Sequence, residues 1–266
     1  MADTVLYDVT DGLATITLNR PEAMNSLNTE LKVALRDTLL AAGADPDVRA
    51  VLLTATGRAF CVGQDLKEHI GALAATRESG SGNALSTVRE HYNPIVRAIT
   101  EMPKPVVAGV NGVAAGAGFG FALAADYRVV ADSASFTTAF AGVGLSSDSG
   151  LSWTLPRFIG AGRAADLLLF PRSISAQEAD ELGLVNRLVP AEELAATAAE
   201  VARRLADGPT VAYASIKEAL AFGAGAPLAD ALEKEDELQT RAGASEDHTI
   251  AVQAFVAKER PKFLGR

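Results

Sequence analysis

Two kinds of hydrophobic periodicity alternate along the first 150 residues. VLYDVTDGLATITLNRP (5–21) alternates apolar and polar residues on either side of Asp11-Gly12. That pattern predicts two antiparallel strands joined by a two-residue turn. In NTELKVALRDTLLAAGAD, Leu31, Leu35 and Leu39 recur every four residues, the stripe of a helix with one buried face, and Asn28 is placed to cap it. VRAVLLT (48–54) is a short apolar run that predicts a buried strand. GRAFCVGQDLKEHI (57–70) predicts a loop that turns at Gly63 into a helix starting near Gln64. Residues 71–85 show no clear period and predict a mobile surface segment. LSTVREHYNPIVRAITEM (85–102) predicts a helix kinked or restarted at Pro94.

The alternation then continues. PVVAGV (105–110) predicts a strand, NGVAAGAGFGFALAAD (111–126) a glycine-rich turn opening a helix, and YRVVAD and ASFTTAF two further short strands. Beyond residue 150 the strands nearly stop. Helices are predicted at roughly 150–170, 175–183, 191–207, 210–222, 227–243 and 246–258. Mixed strands and helices followed by helices alone point to an α/β core with a C-terminal helical layer, and repeated β-β-α units are suggested within the core.

Composition narrows the function classes. At 266 residues, with 48% hydrophobic and 21% charged residues, the chain can bury a sizeable core. Its net charge of −9 argues against non-specific nucleic-acid binding, though a local basic pocket for an anionic ligand remains compatible. The single cysteine, Cys61, rules out an internal disulfide and a thiolate metal cluster. His69, His91 and His248 have no metal-ligand spacing, so no metal is expected. The N-terminus does not read as a signal peptide. The run at 106–125 is broken by five glycines and an Asn, which favours a buried strand, turn and helix over a membrane span. The expectation is a soluble, cytoplasmic protein.

Two loops carry candidate chemistry. Ala59-Phe-Cys-Val-Gly-Gln-Asp-Leu-Lys67 and Asn111-Gly-Val-Ala-Ala-Gly-Ala-Gly118 both read as strand, glycine turn, helix. The first amides of a helix have no internal partner and can donate to an oxygen bearing negative charge. Two such helix starts brought together would form an oxyanion hole. The plainer reading is that these glycines only make turns. Neither loop has the spacing of a dinucleotide or P-loop site.

The two loops are joined by further motifs. NRPEAMNSLN (19–28), GRAFCVGQDLKE (57–68), PKPVVAGVNGVAAGAG (103–118), ISAQEADELGLVNRLVP (174–190) and FVAKERPKF (255–263) resemble, in order and spacing, the enoyl-CoA hydratase/isomerase (crotonase) superfamily. The resemblance implies an α/β fold, a spiral of β-β-α units in a core over 1–200 that carries a CoA-thioester site. It also implies a C-terminal helical region over 201–266 that builds homotrimers, often paired into hexamers. The ligand would be an acyl-CoA thioester, with no other cofactor. By motif position, the amides that polarise the thioester carbonyl belong to Gln64 and Ala117. The CoA adenine and phosphates would lie along Ala23, Met24, Asp65, Leu66 and Lys67, and Phe255 and Lys258 match a C-terminal patch that often reaches CoA.

The chain departs from the family's hydratases, which use two glutamates. The matching positions hold Gly120 and Phe140, neither of which can move a proton. The one acid nearby is Asp148, in GLSSDSG (144–150), where several non-hydratase members keep theirs. GLSSDSGLSWTLPR and HYNPIVR are most similar to the ring-type 1,2-epoxyphenylacetyl-CoA isomerases of phenylacetate breakdown, a subfamily that also shifts double bonds in enoyl-CoAs. One carboxylate suffices for such a shift. Asp148 could instead cap the helix that follows it. Phe136, Phe140 and Leu145 are candidates for an apolar wall that would make it a better base. The expectation is therefore an isomerase, with a hydratase and a non-catalytic acyl-CoA-binding protein as alternatives.

Overall fold

The computed structural model describes residues 3–79 and 85–266. Strands β1 (Val5–Thr10) and β2 (Leu13–Leu18) form the expected hairpin, with Asp11 at φ 50° and Gly12 at φ 82°, both left-handed as a tight hairpin turn requires. Helix α1 (Thr29–Ala44) starts where Asn28 accepts a hydrogen bond from the Leu31 amide, and its Leu31, Leu35 and Leu39 are fully buried.

Three β-β-α units follow. They are β3 (Ala50–Ala55), β4 (Ala59–Cys61) and α2 (Leu66–Ser79); β5 (Val106–Val110), β6 (Val113–Ala115) and α4 (Ala117–Ala124); and β7 (Tyr127–Ala131), β8 (Ser135–Thr137) and α5 (Leu151–Leu169). Helix α3 (Asn93–Glu101) continues directly from a π-helical turn at Val88–Tyr92, with Pro94 just past that turn, where its missing N–H interrupts the regular ladder. The first strand of each unit joins a six-stranded sheet and the second a four-stranded sheet. Strands β2, β3, β5 and β7 run parallel, as do β4, β6 and β8. Each unit therefore advances both sheets by one strand, which is the spiral the sequence resemblance implied.

The structure corrects three local expectations. Ala59–Cys61 is a strand, not loop. The helix after Gly63 begins at Leu66 and runs to Ser79, across most of the segment expected to be mobile; residues 80–84 lie outside the described residues. Its apolar positions Leu66, Ile70 and Leu73 face solvent and no α2 residue is buried. Beyond residue 150, β9 (Ile174–Ser175) and β10 (Arg187–Val189) close the edges of the small and large sheets. With two and three residues, they are too short to show an alternation.

Between them lies α6 (Ala176–Glu181). Helix α7 (Leu194–Ala206) covers the large sheet with buried Ala198, Ala202 and Ala206. The helices α8 (Thr210–Gly223), α9 (Leu228–Gly243) and α10 (Glu246–Ala257) complete the chain and leave Leu220, Leu228, Phe255 and Val256 strongly exposed. No described helix is long and apolar enough to cross a membrane.

Candidate active site

The two glycine loops meet backbone to backbone. Gly63 has φ +82°, and a Cβ there would lie 3.0 Å from the Ala115 carbonyl oxygen and 3.7 Å from the Ala117 nitrogen. A Cβ on Gly118 would lie only 2.1 Å from the Cys61 carbonyl oxygen, so helix α4 can approach β4 only through a glycine. Cys61 is itself buried, and burial pushes its thiol up to about 12, an inert packing residue.

Two amides stand at this junction. Gln64 forms an isolated parallel bridge with Leu27, in which the Leu27 amide donates to the Gly63 carbonyl (2.8 Å) and the Asp65 amide to the Leu27 carbonyl (3.2 Å). In a parallel bridge the middle residue's own N–H points to the opposite side, so the Gln64 amide faces away from Leu27. Ala117 is the first residue of α4, after Gly116 at φ 51°, and its amide is among those a helix leaves unpaired. Phe140 stands beside this turn, with Cζ 3.8 Å from where a Gly116 Cβ would lie.

The Gln64 side chain is held by a partly buried network. Its Oε1 accepts from the Tyr92 hydroxyl and from the Lys32 ammonium at 3.3 Å, while its Nε2 donates to the Asp65 carbonyl at 3.3 Å. Lys32, only 2% exposed, also donates to Glu68 Oε1 (3.3 Å) and Thr87 Oγ1 (2.9 Å). The Thr87 hydroxyl lies 3.2 Å from His91 Nδ1. Burial, then the Lys32 charge, lowers the His91 pKa. Tyr92 is buried edge-on against Phe121, and burial followed by the nearby Asp148 charge raises its pKa.

Asp65 takes a structural place. Its Oδ1 accepts from the Lys67 (3.1 Å) and Glu68 (3.4 Å) amides, capping α2. Its Oδ2 accepts from Arg20 and Ser26, each at 3.2 Å. Burial opposes ionisation, but the Glu68 amide and the Arg20 and Ser26 side chains outweigh it and hold the carboxyl below its usual range. These bonds pin the 20–26 turn, with Ala23 and left-handed Met24, to the start of α2, where Leu66 and Lys67 are exposed. Phe255 and Lys258 stand exposed at the end of α10, which packs on α9.

Asp148 does not cap a helix. The N-cap of α5 is Gly150 and receives no side-chain bond, so the capping alternative fails. The carboxylate Oδ1 accepts one bond, from the Ser149 hydroxyl at 2.7 Å. Burial raises the Asp148 pKa and that hydroxyl opposes the rise. Ser149 is buried at φ 52° and covers position 120, where a Cβ would lie 2.4 Å from its carbonyl oxygen and 2.7 Å from its Cβ. Of the other wall candidates, Phe136 packs on Phe119 at 5.0 Å within the core and Leu145 is exposed. Trp153 is half-exposed beneath the Arg157 guanidinium, 3.9 Å away.

Sequence reasoning missed Lys32, Tyr92 and Ser149. A signal existed for Lys32, which lies three and seven residues before Leu35 and Leu39 and so shares the buried face. Among the described residues no group of three or more His, Cys, Asp or Glu could hold a metal. A cavity of about 830 Å³ lies elsewhere, between α8, the end of α3 and the last residues of the chain. Of its cations, Lys217, Arg241 and Arg266 are paired with Asp126, Glu218 and Glu246, and Arg49 and Lys104 donate to backbone carbonyls.

The family described as enoyl-CoA hydratase/isomerase matches residues 8–266. The chain is 44% identical to a Rhodobacter capsulatus protein named probable enoyl-CoA hydratase, over 99% of this chain and 98% of the relative. It is 40% identical to the 1,2-epoxyphenylacetyl-CoA isomerase of Escherichia coli over the full length of both. A crystal structure of a Mycobacterium abscessus protein assigned to enoyl-CoA hydratase/isomerase superposes with a TM-score of 0.94 at 49% identity, covering 98% of this chain and 100% of the other.

Proposed function

Because the chain belongs to the enoyl-CoA hydratase/isomerase family, whose members are enzymes of CoA thioesters, we propose that it is an acyl-CoA isomerase with Asp148 as its single proton carrier. The observation that carries this reading is the closure of position 120. Where a hydratase would need a glutamate, Ser149 fills the space over Gly120. The second such position holds Phe140, beside Gly116. Asp148, with one hydrogen bond and a raised pKa, is the acid left able to exchange a proton.

The chemistry follows from the two amides. The thioester oxygen accepts from the Gln64 and Ala117 N–H groups, which hold the charge that develops there when a proton leaves the α-carbon. Each such donor contributes about 3–4 kcal/mol to the transition state. For a 3-enoyl-CoA, Asp148 takes the C2 proton and the C–H electron pair forms the C1=C2 bond of a dienolate, the carbonyl pair moving onto the oxygen. When the carbonyl re-forms, the C1=C2 pair becomes the C2=C3 bond. The former C3=C4 pair then accepts the same proton at C4. Atoms and electrons balance with no other reactant. Kinship with the E. coli epoxide isomerase supports a ring rearrangement on the same enolate platform as a second substrate type. CoA would run along Ala23, Met24, Asp65, Leu66 and Lys67, with Asp65 contributing backbone because its carboxylate is occupied. Phe255 and Lys258 would come from a second copy of a trimer or hexamer, whose apolar contacts the exposed α8–α10 residues supply.

The test pairs two substrates. The enzyme is expected to convert 3-hexenoyl-CoA to the 2-enoyl ester and scarcely to hydrate crotonyl-CoA. Fast hydration of crotonyl-CoA would return the hydratase reading, and binding of both esters without turnover would leave an acyl-CoA-binding protein.

A further inference from the structure

A charge is buried behind the proposed donor pair. Lys32 sits on a helix face whose neighbours Leu31, Leu35 and Leu39 are fully buried, where an apolar side chain would avoid the several kcal/mol that desolvating an ammonium costs. Its ammonium has three acceptors on two segments distant from it in sequence: Gln64 Oε1, Glu68 Oε1 and Thr87 Oγ1. Glu68 is fixed in turn by the Thr29 amide and hydroxyl, both at 2.7 Å. Tyr92 supplies a second donor to the same Gln64 oxygen, and the Gln64 Nε2 is tied to the Asp65 carbonyl. The Gln64 side chain is thereby held at both ends.

The backbone at Gln64 needs such a hold. It follows Gly63, whose positive φ marks the most permissive residue in the loop, and the Leu27 bridge restrains it from one side only. We propose that Lys32 is a positioning residue for the reaction: by holding the Gln64 side chain from behind, it aims the Gln64 N–H at the thioester oxygen. The inference rests on the reading of Gln64 and Ala117 as the donor pair. It assigns a role in turnover to a residue that touches no substrate.

The experiment reads carbonyl polarisation directly. Hexanoyl-CoA carrying 13C at its thioester carbonyl binds but has no double bond to move, and its C=O stretch falls when the oxygen accepts stronger hydrogen bonds. Wild type is expected to lower the stretch. Lys32→Met is expected to lower it less, to leave the dissociation constant unchanged, and to reduce kcat for 3-hexenoyl-CoA by about 100-fold, the scale of a 1 Å misplacement. Lys32→Arg should recover part of both losses. An unchanged stretch in folded Lys32→Met overturns the proposal. If that variant does not fold, Gln64→Leu decides, since it removes the side-chain oxygen that Lys32 holds and keeps the backbone N–H. A smaller fall in the stretch supports the proposal and an unchanged one overturns it. If wild type itself does not lower the stretch, the donor pair fails, and Lys32's role with it.

Discussion

Asp65 and Asp148 look alike in the sequence, each a carboxylate that follows a glycine turn and precedes a predicted helix. In the structure they belong to opposite kinds of surroundings. Asp65 accepts from two helix amides, a guanidinium and a hydroxyl, and its pKa is lowered. Asp148 accepts from one neighbouring hydroxyl, caps nothing, and its pKa is raised. The same division separates the two halves of the site. Around Gln64, the buried Lys32 and Tyr92 and the half-buried Glu68 and Thr87 are joined by hydrogen bonds. Around Asp148 the partners run out. A saturated network fixes geometry, because every departure leaves a buried polar group unpaired. An under-partnered carboxylate is the one free to take a proton.

The comparison breaks first at Gly120. A methyl group there meets the Ser149 backbone and must displace the segment that carries Asp148. Gly120→Ala is expected to cost about 1–3 kcal/mol of stability, as overpacking does, and to reduce isomerase turnover by about 100-fold through a misplaced carboxylate. Denaturant titration and steady-state kinetics check both. A well-folded variant with full activity would detach Ser149 from the positioning of Asp148.

Asp65 offers the next test, with the effect moved from turnover to stability. Asp65→Asn should lower stability by about 2 kcal/mol at neutral pH through the lost cap and charged bonds, with little change in kcat. A group whose folded pKa is depressed contributes stability above its unfolded pKa and loses it as pH falls through the folded value. The difference between Asp65→Asn and wild type should therefore shrink in acid, below the ordinary carboxylate value of 3.8. Thermal melts from pH 7 to pH 3 measure it.

How much of this was legible depends on the range of the interaction. The hairpin at Asp11-Gly12, the Asn28 cap and most C-terminal helices are local patterns, and they appear where the sequence puts them. The start of helix α2 after Gly63 was legible and its run to Ser79 was not, because its Leu66, Ile70 and Leu73 face solvent and mark no core. The loops at Gly63 and Gly116 could be recognised as turns. Their contact, through Gly63 against Ala115 and Gly118 against Cys61, is backbone on backbone across the fold and leaves no side-chain pattern. Lys32 reads as an ordinary helix lysine until its three acceptors, drawn from two distant segments, are assembled around it. Asp148 was visible as the only nearby acid, but a cap and a proton carrier share that look, and only the empty cap position of α5 separates them.

The most direct measurement is the thermal midpoint and isomerase turnover of Asp148→Asn, taken together from pH 3 to pH 7. A carboxyl whose folded pKa is raised contributes fully below its unfolded pKa and loses that contribution as pH rises through the folded value. The uncharged amide escapes that loss. The account predicts equal midpoints in acid, a higher midpoint for the variant at pH 7, and turnover reduced by about a thousandfold, within the range of general acid–base catalysis. A variant that melts lower than wild type at pH 7 while keeping its turnover would contradict the account and make Asp148 a structural residue like Asp65.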